Sequence, residues 1–319
     1  MKKFELTNEF VVNSFGIKLF RIQSLVAFGR VKAGEQGGYV EKEENLSQIG
    51  NAWVSGDAKV SGNARVYGNA EVSGNAWVYG NAVVSGNAEV SGDAEVSSNA
   101  KVSGDAKVSG NAWVYCNAWV YGNAEVSGNA GVSGNAKVSG NAWVYGNAEV
   151  SGNAEVSGNA EVSDNARVSI NAEVSGDAKV SGDARVYGDA EVSGNAEVSG
   201  NAEVSDNARV YGDAEVSGNA WVSGDAEVSG DAKVSGDAEV SGNAWVSSNV
   251  DYATVKGFGR INRNTTFFRC KDGKVCVVCG CFFGDLEEFR AIVKRTHGDG
   301  RMAMEYLAIA DLMEIHFKG

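Results

Sequence analysis

The sequence predicts an all-β solenoid, a left-handed parallel β-helix, with a right-handed solenoid as the alternative. Three observations predict it. Residues 51–248 are one six-residue phrase, Asn/Asp-Ala-x-Val-Ser/Tyr-Gly, repeated thirty-three times without a break. Every copy has Ala at the second place and Val at the fourth; the first is Asn in 23 and Asp in 10, the fifth Ser in 26 and Tyr in 7, the sixth Gly in 27. Ala-x-Val alternates as a strand does, with Ala and Val facing one way and the third and fifth residues the other. Gly-Asn or Gly-Asp then follows, and these residues accept the positive φ of a tight bend. Six residues are too few for a helical pair or a propeller blade. Each phrase is therefore a strand and a bend, and three phrases make a triangular coil of 18 residues. The repeat amounts to eleven coils, roughly 53 Å of rod at ~4.8 Å per coil.

Residues 1–50 read as a β-rich N-terminal cap. Phe10–Ser14 and Lys18–Ile22 flank Phe15-Gly16 as a hairpin does. Val40, Leu46 and Ile49 then form a first, irregular coil. A cap is needed because an open solenoid end exposes unpaired strand edges. The near-identical phrases also fix register poorly, since a slip of one coil puts Val back on Val.

Residues 249–319 read as a C-terminal unit of a β-hairpin and two helices, a ββαα cap. Thr265–Cys270 and Val275–Phe283 flank the Asp272-Gly273 turn. Asp285 opens a helix with an acidic first turn and Gly298 closes it. Its apolar stripe is Leu286, Phe289, Ile292 and Val293. A second helix runs from Arg301 to Phe317, with Met302, Tyr306, Ile309 and Met313 on one side. The unit reads as a cap, or as a module that docks a partner.

Charge narrows the function. The net charge is −13, and residues 51–248 alone hold 10 Lys/Arg against 26 Asp/Glu. Such a surface repels nucleic acid and anionic membrane; a protein partner fits it better. No apolar run is long enough to span a membrane, and no signal-peptide core follows Met1, so a cytoplasmic location is expected. The five cysteines should then be thiols or metal ligands rather than disulfides.

The phrase and its lead-in, Lys32-Ala33-Gly34-Glu35-Gln36-Gly37-Gly38-Tyr39-Val40-Glu41, resemble bacterial hexapeptide-repeat proteins of the YdcK type. Those are commonly labelled acyltransferases. The similarity covers residues 30–248, and the C-terminal unit looks like a module appended to phage-related solenoids. The resemblance implies acyl-CoA as donor and a histidine as general base, which needs a pKa near neutrality. The repeat holds no histidine; the two in the chain are His297 and His316. These are the only catalytic candidates, and each also reads as a plain helix residue, His297 at a helix end where a protonated imidazole is favourable. The related β-helical carbonic anhydrases need three histidine ligands, which two cannot supply.

Other candidates are local. Cys270, Cys276, Cys279 and Cys281 are spaced C-x5-C-x2-C-x-C, which suits buried thiols better than the paired spacing of a zinc site. Trp113, Tyr115, Trp119 and Tyr121 crowd one corner as a binding patch or as copied phrases. Glu155, Glu173 and Glu191 stack on successive coils, where like charges call for a cation or for salt screening. The reading is a non-enzymatic solenoid scaffold, phage-related, with partners at its end modules or on its aromatic and acidic surface. No cofactor is expected, and acyl-CoA belongs only to the acyltransferase alternative. A second alternative is an acidic decoy of nucleic acid. Monomer or homo-oligomer is left open.

Overall fold

The computed structural model describes residues 2–259 and 262–318. The chain is a parallel β-solenoid followed by a small antiparallel sheet and two helices. It divides into two compact units, Met1–Ile170 and Asn171–Gly319.

In the first unit each phrase contributes a two-residue strand, such as Trp53–Val54 and Glu71–Val72. These two pair in parallel with Trp53 opposite Glu71 and Val54 opposite Val72, a spacing of 18 residues. Three backbone bonds per phrase tie one coil to the next. Trp53 N–H donates to Ala70 O at 3.0 Å, Ser55 N–H to Val72 O at 2.9 Å and Asp57 N–H to Gly74 O at 2.9 Å. The inward Ala and Val side chains are fully buried along the repeat, as the alternation requires. The bend residues are as constrained as the core. Gly134 sits at φ +69°, and a Cβ there would lie 2.7 Å from Gly152 O of the neighbouring coil.

Ile170 holds the same bend place at φ 67°. A β-branched residue there is strained, because the left-handed region costs an L-residue roughly 1–2 kcal/mol. Ile170→Gly is therefore expected to raise stability by about 1 kcal/mol. A higher urea midpoint at unchanged slope is the check; an unmoved midpoint would refute the strain.

The N-terminal cap consists of β1 (Phe4–Val12), β2 (Lys18–Ser24) and β3 (Gln36–Val40). β1 and β2 form the expected hairpin, and β3 runs antiparallel to β2 and parallel to Lys59–Val60. Tyr39 N–H donates to Ala58 O and Glu41 N–H to Val60 O. Asn45 Nδ2 donates to Gly62 O at 3.1 Å and Ala64 O at 2.8 Å. The buried Lys3 ammonium donates to Ala52 O at 2.8 Å, and burial lowers its pKa to about 8. These groups occupy the edge of the first regular coil. Val40 and Leu46 take inward places as expected, but Ile49 is 83% exposed. It lies between Leu46, which pairs with Val66, and Gly50, which lies on Gly68; the segment is longer there than the next coil and bulges out, so the irregular coil has two apolar supports and not three.

In the second unit the repeat keeps the same register, for example Glu173 opposite Glu191 and Val174 opposite Val192. The sheet beyond it has four antiparallel strands: Tyr252–Phe258, Arg263–Arg269, Val275–Cys279 and Phe282–Asp285. The Asp272-Gly273 hairpin is its centre. The stretch read as one strand over 275–283 breaks at Gly280, which sits at φ +61° and turns the chain into a second hairpin. The Arg263–Arg269 strand lies on the last coil: Glu239 N–H donates to Thr266 Oγ1 at 3.0 Å and Lys271 N–H to Asn243 O at 3.0 Å.

α1 (Leu286–His297) starts on a capping box. Glu288 N–H donates to Asp285 Oδ1 at 2.9 Å, and Asp285 N–H donates to Glu288 Oε2 at 3.0 Å. α2 (Arg301–His316) packs against it through Phe289, Val293, Tyr306, Ala310 and Met313. Among the described residues no helix is long and apolar enough to cross a membrane.

Candidate functional site

The outward surface of the repeat is built from bends and charge pairs. At the first place of each phrase, asparagines stack into ladders along a corner. Asn51 Nδ2 donates to Asn69 Oδ1 at 3.0 Å, Asn69 to Asn87 at 2.9 Å and Asn87 to Asp105 at 2.7 Å. Each amide both donates and accepts, which is the ladder of stacked identical strands. Sequence reasoning treats these residues as turn formers alone; their 18-residue recurrence is the signal for the ladder. Third-place charges pair across coils in the same way, as in Lys107–Glu125 at 3.6 Å and Arg185–Glu203 at 3.3 Å. Exposed pairs of this kind contribute about 0–1 kcal/mol each.

Two of the stacked glutamates already have cations. Lys137 lies 2.5 Å from Glu155, and Arg209 lies 3.3 Å from Glu191. Glu173 lies opposite Glu191 on the adjoining strand. Among the described residues no three His, Cys, Asp or Glu side chains are grouped as metal ligands. The four aromatics of one corner do not form a single platform. Trp119 and Tyr121 pack with tilted rings, centroids 4.6 Å apart, whereas Trp113 stands on a different sheet and is 57% exposed. The Trp77–Tyr79 pair, not singled out in the sequence, has the same tilted packing at 4.5 Å, and Trp77 receives Phe15 from the β1–β2 turn at 5.8 Å.

The histidines and cysteines separate in an informative way. His316 ends α2, exposed and edge-on to Phe317. Cys270 and Cys276 form a disulfide, which corrects the expectation that all five cysteines are thiols or ligands. The Asp272-Gly273 turn brings their Cα atoms to 6.1 Å, within the range a disulfide bridges. That leaves Cys116, Cys279 and Cys281 as free thiols, with Cys270 and Cys276 bonded to each other.

Cys279, Cys281 and His297 come together in the second unit. They line a cavity of about 630 Å³ with Phe282, Phe289, Ile292, Val293, Arg263, Thr296 and Tyr306. The apolar stripe of α1 is its wall. The imidazole of His297 stacks on the Tyr306 ring at 6.0 Å. Thr265 Oγ1 donates to Cys279 Sγ at 3.2 Å. Burial first, and the Cys279 thiol second, push the Tyr306 phenol above its ordinary pKa. Sequence reasoning names the thiols and His297 separately and misses Arg263 as their neighbour. Only the Cys-Gly-Cys spacing at 279–281 hints that a second hairpin turn would bring it there.

Comparison with known families finds two partial matches. A bactofilin model, described as polymer-forming cytoskeletal, matches residues 166–260. A YdcK β-solenoid repeat model matches residues 58–74. No curated protein matches the chain. The solenoid-repeat character of the chain is thus shared with the YdcK repeat family.

Proposed function

We propose that this protein is a non-enzymatic solenoid scaffold whose partners bind at its end modules. The observation that carries the reading is that each terminal coil is covered by its own module. In the first unit β3 and Asn45 hold the edge, and in the second the Arg263–Arg269 strand does. The repeat between them offers ladders and ion pairs, with no histidine in residues 51–248 to serve as a base. A cytoplasmic location goes with this reading. The reducing poise there would open the Cys270–Cys276 bridge, but Gly273 N–H still closes the turn on Cys270 O at 2.9 Å.

The bactofilin match favours a second reading, in which copies polymerise. Sedimentation velocity of the full chain separates the two. A capped scaffold stays a discrete species as concentration rises, because its terminal coils are already covered by β3 and by the Arg263–Arg269 strand; filaments would overturn it. Calorimetry with acetyl-CoA tests the acyltransferase alternative, and the scaffold reading expects no heat of binding.

A further inference from the structure

We propose that the cavity between α1 and the Cys279–Phe282 turn binds a small amphipathic monocarboxylate, its acid group on Arg263 and its apolar tail along α1. The volume, about 630 Å³, falls within the ~300–1,000 Å³ of small-molecule sites. Its lining divides by chemistry. Phe282, Phe289, Ile292 and Val293 form an apolar wall, and Arg263, Thr296 and His297 stand with them as polar groups.

Two glycines seat the polar tips. A Cβ on Gly280 would lie 2.1 Å from a terminal nitrogen of Arg263 and 2.8 Å from its Cζ. The guanidinium therefore occupies the space that a side chain at Gly280 would fill, against the turn between Cys279 and Cys281. A Cβ on Gly259 would lie 2.2 Å from the Tyr306 hydroxyl. Both glycines also have positive φ, +61° and +72°, so any other residue at either place would displace a polar tip and strain the bend.

The charge selects the ligand. Among the described residues no carboxylate lies within ion-pair distance of Arg263, in contrast to Arg269 and Arg290, which both have acidic partners. A planar guanidinium offers two parallel N–H groups to a carboxylate. A single such cation beside an apolar wall suits a monoanion with a hydrocarbon body better than a multiply charged phosphate ester.

The free thiols provide the test. Cys279 and Cys281 line the cavity, and the exposed Cys116, on the repeat, serves as the internal reference. The full chain is alkylated with iodoacetamide, with and without sub-micellar decanoate or decanol, and each cysteine is followed by mass spectrometry. Decanoate is expected to slow modification of Cys281 and Cys279 while Cys116 reacts at its unprotected rate. Decanol should protect far less. Arg263→Gln should weaken protection about tenfold, the worth of one charged hydrogen bond. The decanoate–decanol comparison needs no variant and so survives any folding defect. Equal protection by decanol, equal protection in Arg263→Gln, or parallel slowing of Cys116 would each overturn the assignment.

Discussion

Val132→Asp is expected to unfold the middle of the first unit, at a cost above about 4 kcal/mol. Val132 is fully buried, with Val114 opposite it on one neighbouring coil and Val150 on the other. A carboxylate there meets only methyl groups, and an unpaired buried charge either neutralises or drives the chain open. The adjacent residue is the control. Gly131 faces outward with nothing within 4 Å of a Cβ built on it, and its φ is not in the left-handed region. Gly131→Thr should therefore be tolerated and gain a few tenths of a kcal/mol, since a β-branched residue suits an extended strand better than glycine. Urea unfolding of both variants checks the pair. Similar midpoints for the two would show that the faces do not alternate as the register requires.

That contrast also marks how far the sequence is legible. The inward places are readable because a two-residue alternation and a regular bend leave one arrangement that buries every Val and Ala of the phrase. The hairpin of β1 and β2, the Asp285 cap and the stripes of both helices follow local rules of the same kind. What local rules do not supply are meetings between distant segments. Ile49 has the composition of a core residue and lies outside, because Leu46 pairs with Val66 while Gly50 already lies on Gly68, and the extra residues between them bulge out of the coil. Cys270 and Cys276 separate from Cys279 and Cys281 only once the first hairpin has closed on itself. Arg263 meets Cys279, Cys281 and His297 only after the Gly280 turn has formed and α1 has folded back over the sheet. No pattern in the residues beside Arg263 announces that meeting, because the partners come from three separate elements.

Asp251→Ala is expected to loosen the C-terminal sheet from the repeat by about 3 kcal/mol, the low end for removing one partner of a buried pair, because Arg269 keeps partial solvent access. Asp251 Oδ2 accepts from Ser247 N–H at 3.0 Å, Ser247 Oγ at 2.9 Å, Ser248 N–H at 3.0 Å and Ser248 Oγ at 3.1 Å. Its other oxygen accepts from Arg269 Nε at 2.9 Å, and Arg269 in turn donates to Phe317 O at 3.0 Å. One carboxylate thus ties the last phrase to the sheet and to the end of α2. Burial pushes its pKa up, but the serine donors outweigh burial and the net shift is downward. The sign follows from linkage: a carboxylate with a depressed folded pKa stabilises fully above its unfolded value and loses that contribution as pH falls through the folded one. The wild-type chain should therefore lose C-terminal stability on acidification below the ordinary carboxylate range, and Asp251→Ala should lose that part of the acid dependence. Urea titrations of both chains, followed by hydrogen exchange at Trp245–Val246 in the last phrase, read the difference. A shift under about 0.5 kcal/mol at neutral pH, the range of ordinary surface changes, would mean that the backbone bond from Arg269 N–H to Asp251 O, 2.9 Å long and kept in the variant, holds the junction without the side chain.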